Sequence, residues 1–531
     1  MDLDRVLTAK GYSIRKGALT PKQVATLQEE LMVVPKMNTK FANKAAIAAA
    51  SFKVYRESPQ RWYVPRAWGV TQYGDPQANV VPEGLPMPTT SSAFGGAPYQ
   101  YQEDIIQKFV DAGANGLICV PCGKGKTFMA LAIAARLGRR FLVVVDKEFL
   151  MNQWRGEMQA LMPGLRVGII QGPKREVDPE RYDCTICMIQ SVCGQDFPDT
   201  IFKEYGFTIF DECHHLGAQH FSKTLQKIQT RWMLGLSATP TREDGLTKVF
   251  TWFLGEPVYW EKTREPDPTV EVKGIFVKTE DATYHDVPVD WRGEVVMARL
   301  LGNILGCAER TAEVVRWIRK LCEEPVRKVL VLSERIGHLN IIEEELKKLE
   351  PGLTTAYYVG GMKEAVREGG AATARVLLAS YAMASEAMNI KTLNAVILAS
   401  PRKSVEQSTG RILRVRPDQR QVAPVIVDFI DDHPMYQGQW RKRLTYYKKC
   451  AYQIEHWQMR AESGRIVARA AATAATSAPQ ATGGCLIADD NDDDTVTEEG
   501  VGVSSAAAAS GGCLPTRSSA TASGGCLILD D

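Results

Sequence analysis

GLICVPCGKGKTFMALAIAARL, from Gly116 to Leu137, decides how the rest of the chain is read. An apolar run, Gly116–Val120, breaks at a Pro-Cys pair. Two glycines flank Lys124, and a run of helical character opens at Thr127. Strand, glycine loop and helix in that order form the unit from which α/β sheets are built. Gly123 and Gly125 let backbone amides crowd an anion with no Cβ in the way, and Cys122 and Lys124 complete the loop. Lys126 offers a point charge to β- and γ-phosphates, and Thr127 a hydroxyl for Mg²⁺. Thr127 also opens a helix, whose amino end favours negative charge. The strict loop pattern asks for glycine at position 120, where this chain has Val120.

Working outward, strand and helix patterns keep alternating. Phe141–Val145, Cys184–Ile189, Phe207–Phe210 and Trp232–Leu236 read as buried strands, with a helix over Phe149–Leu161. A second series starts near Val270, with strands over Lys328–Leu332, Arg375–Ala379, Ala395–Ala399 and Val425–Phe429. Such alternation predicts parallel sheets covered by helices. The expected fold is α/β, two lobes in tandem spanning 96–262 and 263–460. Residues 1–95 read as a small α+β unit, with helical spacing over Leu19–Leu31 and a hairpin pattern in Ser51–Tyr55 and Trp62–Pro65. Val81–Pro98, rich in Pro, Gly, Ser and Thr, reads as a linker or surface loop. Residues 461–531 collapse to Ala, Thr, Ser, Gly and Asp and are expected to be disordered, with GGCL recurring at Gly483, Gly511 and Gly524. A docking segment for a protein partner is one reading of that repeat, and a solvating tail the other.

Three further segments carry chemistry. Phe207–His215, FTIFDECHH, delivers Asp211 and Glu212 to the carboxyl edge of a sheet, where α/β ligands sit. Asp211 there suits Mg²⁺, and Glu212 suits orienting and deprotonating a water. Ser237 and Thr239, in SAT after a strand, offer hydroxyls to link the acid pair to the far lobe. In QSTGRILR, Gln407–Arg414, the guanidiniums Arg411 and Arg414 lie three apart on one helical face. Aimed at a γ-phosphate they would act as arginine fingers, and Gln407 and Gly410 count among the nucleotide-contacting positions. Each segment alone has a bland reading: a turn, a helix cap, an exposed helix. Their order along the chain removes it.

These motifs resemble those of superfamily-2 helicases with two RecA-like lobes. Tyr101–Gln102 is similar to that family's adenine-reading glutamine segment, which implies a base contact for Gln102. VVVDKEFLMNQW, Val143–Trp154, resembles its first nucleic-acid-tracking motif. Arg242, Glu243 and Asp244 resemble the RED element of XPB-type DNA helicases. The stretches FDECHHLGAQHFSKTLQKIQTRWMLGLSATP and GLTKVFTWFLGEPVY look closer still to helicases of large DNA viruses and phages, relatives of the poxviral transcript-release helicase. The resemblance implies an ATP- and Mg²⁺-dependent motor on nucleic acid, with DNA favoured over RNA. One departure stands out: where the family reads EG-x-D, this chain has Glu386, Ala387, Met388 and Asn389. Asn389 keeps an acceptor and loses a charge, which implies lowered turnover.

Bulk composition agrees. A chain of 531 residues that is 45% hydrophobic and 24% charged belongs to the globular class. No apolar run reaches membrane-span length and the start lacks a signal-peptide core, so an intracellular, soluble protein is expected. The net charge of +2 is uneven: Ala470–Asp531 holds nine acids and one base, Arg517, leaving the body at +10. A basic body suits a polyanion. Cys119/Cys122 and Cys184/Cys187 imitate a four-thiolate zinc site, but i and i+3 on a strand face opposite ways, so core packing is expected instead. Two other functions compete with the motor: a non-enzymatic nucleic-acid scaffold, opposed by the full set of phosphate-handling residues, and a restriction-type subunit, for which no nuclease segment is visible.

Overall fold

The computed structural model describes residues 3–36, 44–198, 200–242, 244–262, 264–386, 388, 390–413, 415, 417–459 and 467–469. Two eight-stranded sheets dominate it. The first runs, edge to edge, Lys174–Arg175, Val167–Gln171, Cys184–Met188, Phe141–Val145, Phe207–Phe210, Trp232–Ser237, Asn115–Cys119, Pro257–Trp260. Every pairing is parallel except that of the short first strand. Phe141–Val145 and Cys184–Met188 are buried along their whole length, as strands covered on both faces must be. The second sheet runs Thr355–Tyr358, Val376–Ser380, Val329–Ser333, Ala395–Leu398, Val425–Ile430, Glu271–Phe276, Gln453–Gln458, Val467–Arg469. It too is parallel apart from its last pair. Val467–Arg469 lies inside the stretch expected to be tail. Its backbone pairs with His456–Gln458, and an edge strand needs only ladder hydrogen bonds, not a core face of its own. The rest of that tail, GGCL repeats included, lies outside the described residues.

Both lobes bury their sheets between two apolar clusters. Pleat alternation divides neighbours between them: Cys184 packs with Phe141 and Phe207 on one face, and Cys187 with Val144 and Phe210 on the other. Cys184 and Cys187 are therefore core packing, Cys119 is likewise buried, and Cys122 stands half-buried in the glycine loop; no metal-binding cluster of His, Cys, Asp and Glu occurs among the described residues. Nor is any described helix long and apolar enough to cross a membrane. In the second lobe a buried Arg310 donates to both Asp431 oxygens at 2.7 and 3.0 Å, and Arg443 to both Asp428 oxygens at 2.8 Å. These bidentate pairs tie helices to the sheet with each charge compensated.

The amino-terminal unit differs from its sequence reading in one pairing. Arg61–Val64 pairs with Tyr12–Arg15 and with Arg56–Glu57, whereas Phe52–Lys53 pairs with Met32–Val33. The tight turn closed by Ser58 N–H on Arg61 C=O leaves Arg56–Glu57 as the adjacent strand, and burial of Phe52 and Val54 draws the preceding residues elsewhere. Val81–Pro98 is a strap on the first lobe. Leu85 and Met87 N–H donate to Glu204 and Gly138 carbonyls, and at Gly84, φ +72°, a Cβ would meet Gly206 N at 2.1 Å.

Candidate nucleotide and nucleic-acid site

Strand Asn115–Cys119 ends where the chain turns through Pro121–Gly125 into helix Lys126–Leu137. Gly123 and Gly125 adopt φ +90° and +82°, left-handed conformations that only glycine holds without strain. The loop is held from below by helix Gln100–Asp111: Tyr101 Oη and Gln102 Nε2 both donate to Lys124 C=O at 3.1 Å. Gln102 Oε1 accepts from Tyr99 N–H at 3.0 Å, and a Cβ on Gly125 would lie 2.4 Å from Gln102 Nε2. Gln102 is thus buried, with its amide committed to the shape of the loop.

Strand Phe207–Phe210 brings Asp211 and Glu212 beside that loop. Glu212 sits at φ +42°, a left-handed conformation that costs a non-glycine residue about 1 kcal/mol or more. Its surroundings impose it. Asp211 N–H donates to Val144 C=O, Glu212 N–H donates to Asp211 Oδ1 at 3.0 Å, and Trp154 Nε1 donates to Asp211 Oδ2 at 2.8 Å. The Glu212 carboxylate then faces Lys126, with Oε1 3.5 Å from Nζ. Glu212 Oε2 is buried, accepts no hydrogen bond, and lies 3.4 Å from His214 Nδ1.

Burial disfavours charge on Glu212, yet Lys126, aided by His214, His215 and Arg411, holds its pKa below the usual carboxylate range. Burial and then Glu212 push Asp211 up. Burial also opposes the Lys126 charge, but Glu212, Cys122 and Asp211 outweigh it and raise that pKa. Burial brings His214 down to about 4, so its ring is neutral at neutral pH. The result is a charged lysine, an ionised acceptor with one open lone-pair face, and a neutral imidazole, packed together.

A line of contacts leaves this centre. His214 Nδ1 lies 3.1 Å from Ser237 Oγ, which accepts Thr239 N–H at 3.2 Å. Thr239 Oγ1 accepts from Gln407 Nε2 of the second lobe at 3.4 Å. Arg242 Nη1 donates to His214 C=O at 2.6 Å, and its Nε donates to Asp244 Oδ1 at 2.9 Å. Arg411 is buried in a 3-10 turn, Gly410–Ile412, that follows the short helix Glu406–Thr409. Its Nη1 donates to Met388 C=O at 2.8 Å, and its charge is felt at both Lys126 and Glu212. The turn is tighter than the α-helix expected from the sequence. Arg414, Glu243, Ala387 and Asn389 lie outside the described residues. Thr127 occupies the first turn of its helix beside Lys126.

Sequence reading missed a second connection between the lobes, at Arg264. Arg264 Nη2 donates to Cys122 C=O of the glycine loop at 2.6 Å, and its buried Nη1 has no hydrogen-bond partner. An ideal Cβ on Gly410 would lie 3.9 Å from that same guanidinium. Lys124 pairs with Glu265 at 2.7 Å and Glu261 at 3.4 Å. The only signal in the sequence is the charge run Glu261–Glu265, which resembles any solvated loop.

The family model described as "Type III restriction enzyme, res subunit" matches residues 96–242. A protein of Acanthamoeba polyphaga mimivirus, named as a candidate ATP-dependent RNA helicase, L396, is 30% identical over 459 residues, covering 85% of this chain and 86% of its own length. African swine fever virus QP509L, named likewise, is 27% identical over 392 residues, 67% of this chain and 74% of the relative. A Halobacterium salinarum protein named as a candidate DNA 3'-5' helicase, Rad25, is 31% identical over 194 residues, 35% of this chain and 31% of the relative.

Proposed function

The chain belongs to the superfamily-2 helicases of large DNA viruses, is an ATP hydrolase of that superfamily, and from this premise we propose that it is a motor that tracks DNA by closing and reopening its two lobes around ATP. One observation carries the reading. The Lys126–Glu212 pair is linked through His214, Ser237 and Thr239 to Gln407 of the opposite lobe, so a change at the phosphates has a route to the lobe interface.

The proposed roles follow from the chemistry of each group. Loop amides at Gly123 and Gly125, with Lys126, bind the β- and γ-phosphates. Glu212 takes a proton from the attacking water at Oε2, the buried oxygen that accepts no hydrogen bond. A Mg²⁺ ion held by Thr127 and Asp211 would neutralise charge on the phosphates and leaving oxygens; the Asp211 carboxylate, oriented by Trp154, fits that task. Arg411, together with Arg414, supplies positive charge from the second lobe as the γ-phosphate departs. Gln102 and Tyr101 fix the loop, and Arg242 and Asp244 brace His214.

DNA as the tracked strand is supported by the RED-like segment and the Rad25 relative. RNA is the second reading, favoured by the names of the mimivirus and swine fever relatives. ATP turnover and strand displacement, measured with single- and double-stranded DNA and RNA side by side, test both. Stronger stimulation by DNA is expected. Stimulation by RNA alone overturns the DNA assignment, and turnover that no nucleic acid changes overturns the motor.

A further inference from the structure

Among the described residues, Trp291 is the large apolar side chain most open to solvent, at 83% exposure. An indole so exposed is the informative kind of surface hydrophobe. It tops a short hairpin whose legs meet at Val289 and Val295. Asp290 N–H donates to Glu294 C=O at 2.8 Å, and Gly293 N–H donates to Asp290 C=O at 2.9 Å. Asp290 Oδ1 accepts the N–H groups of Arg292 and Glu294 at 2.9 and 3.0 Å. Gly293, at φ +79°, provides the left-handed residue that a three-residue hairpin loop requires. The tip is therefore a built platform. Val287, Val289, Val295 and Met297 extend the apolar patch below it.

The surroundings select the occupant. Met297 opens the next helix and lines a groove of about 600 Å³ with Arg335, Arg402 and Lys403. Through Arg402 and Ser404 that groove continues into a cleft between the lobes of about 570 Å³, lined by Thr239, Lys262 and Trp260. One path thus runs from the coupling segment to the foot of the hairpin. Lys262, Arg335, Arg402 and Lys403 line it against two acids, Glu406 and Glu334, the latter holding Arg402 at 2.7 Å. Arg292 lies 4.3 Å from the centroid of the Trp291 ring. Asp286, Asp290 and Glu294 on the hairpin oppose phosphate at the tip itself, and Arg292 covers one face of the ring, which leaves the other indole face as the recognising surface there. Basic track and aromatic end together match an unpaired strand: cations for the backbone, a π-face for a base.

We propose that Trp291 stacks on an unpaired base of the nucleic-acid strand that leaves this channel, and so holds open the junction between single strand and duplex. The inference rests on the motor reading above, and wild-type protein separates the two: without nucleic-acid-stimulated ATP turnover in the wild type, the motor reading fails first. The test compares wild type, Trp291→Ala and Trp291→Phe in the full chain, using single-stranded DNA and RNA oligonucleotides and blunt duplexes of the same length. Trp291→Ala should weaken single-strand binding by roughly tenfold, the loss of one base–aromatic stack. It should leave blunt-duplex binding alone and lower strand displacement per ATP. Trp291→Phe should recover most of the loss. Wild-type single-strand affinity and displacement in Trp291→Ala would overturn the proposal and assign the patch to a protein contact. Equal weakening on single strands and blunt duplex would also overturn it, because a paired base offers no face to the indole.

Discussion

Replacing Glu212 by Gln preserves volume and hydrogen-bonding shape while removing a charge and a proton acceptor. Its Oε1 lies 3.5 Å from Lys126 Nζ. At an effective dielectric of about 20 that pair attracts by about 5 kcal/mol before desolvation is subtracted. Two consequences follow with opposite signs. The pocket becomes one charge more positive, so ATP should bind as tightly as in the wild type or tighter. The attacking water loses its base, which lowers kcat by about 10²–10⁴, or about 3–5 kcal/mol of barrier. Glu212→Asp keeps the carboxylate but draws it back by one methylene, so it should fall between Gln and wild type. Phosphate release under saturating ATP and nucleic acid gives kcat, and a fluorescent nucleotide gives the dissociation constant. Turnover of the Gln variant within about threefold of wild type refutes the role of Glu212 as base, since that is far less than one general base contributes. A loss of nucleotide affinity matching the loss of kcat would instead mean that Glu212 shapes the loop.

Arg264→Ala removes the guanidinium that holds Cys122 C=O, so the KM for ATP should rise by about tenfold with the melting temperature little changed; unchanged KM removes Arg264 from the site. Binding of duplex to the basic body should weaken with salt, with a slope of log affinity on log salt of about −0.9 per phosphate contacted, and a flat response contradicts backbone tracking. Acid should destabilise the fold from below about pH 6.5. Burial first, and then Arg310, hold His338 down to about 3, whereas the unfolded chain protonates it near 6.5, so its contribution is complete above that value and is lost as pH falls towards 3. At pH 5 the loss is about 2 kcal/mol, and His338→Gln should flatten the dependence of the urea midpoint on pH between 6.5 and 5; an unchanged slope would show that His338 titrates freely in the folded protein.

The α/β architecture was legible because parallel strands buried on both faces read as continuous apolar runs, and FLVVV at Phe141–Val145 admits little else. The placement of Asp211 and Glu212 at a strand end, and of Lys126 at the start of the helix after the glycine loop, was legible from the same alternation. Contacts between distant loops were not. Nothing local in Glu261–Glu265 marks Arg264 as a neighbour of Cys122, because that contact depends on how two sheets are set against each other. The partner of Phe52–Lys53 was equally hidden: the pattern requires Phe52 to face a core, but two strands could offer one. The motif marks Gln102 for a base contact; its bond to Tyr99 is a local helix cap, but its bond to Lys124 depends on a helix meeting a loop some twenty residues later.

The amino-terminal unit and the first lobe bury their side chains in one continuous cluster, in which Tyr12, Ile14 and Trp68 join Phe250, Phe253 and Leu254. Arg66 seals the seam, donating to Thr230 C=O at 2.6 Å and Asn115 Oδ1 at 2.8 Å. In mechanical terms the two are a single casting: the amino-terminal unit moves with the first lobe rather than against it. A chain begun at residue 96 would not shed an accessory module. It would be a lobe whose Phe250, Phe253 and Leu254 had lost the side chains packed on them.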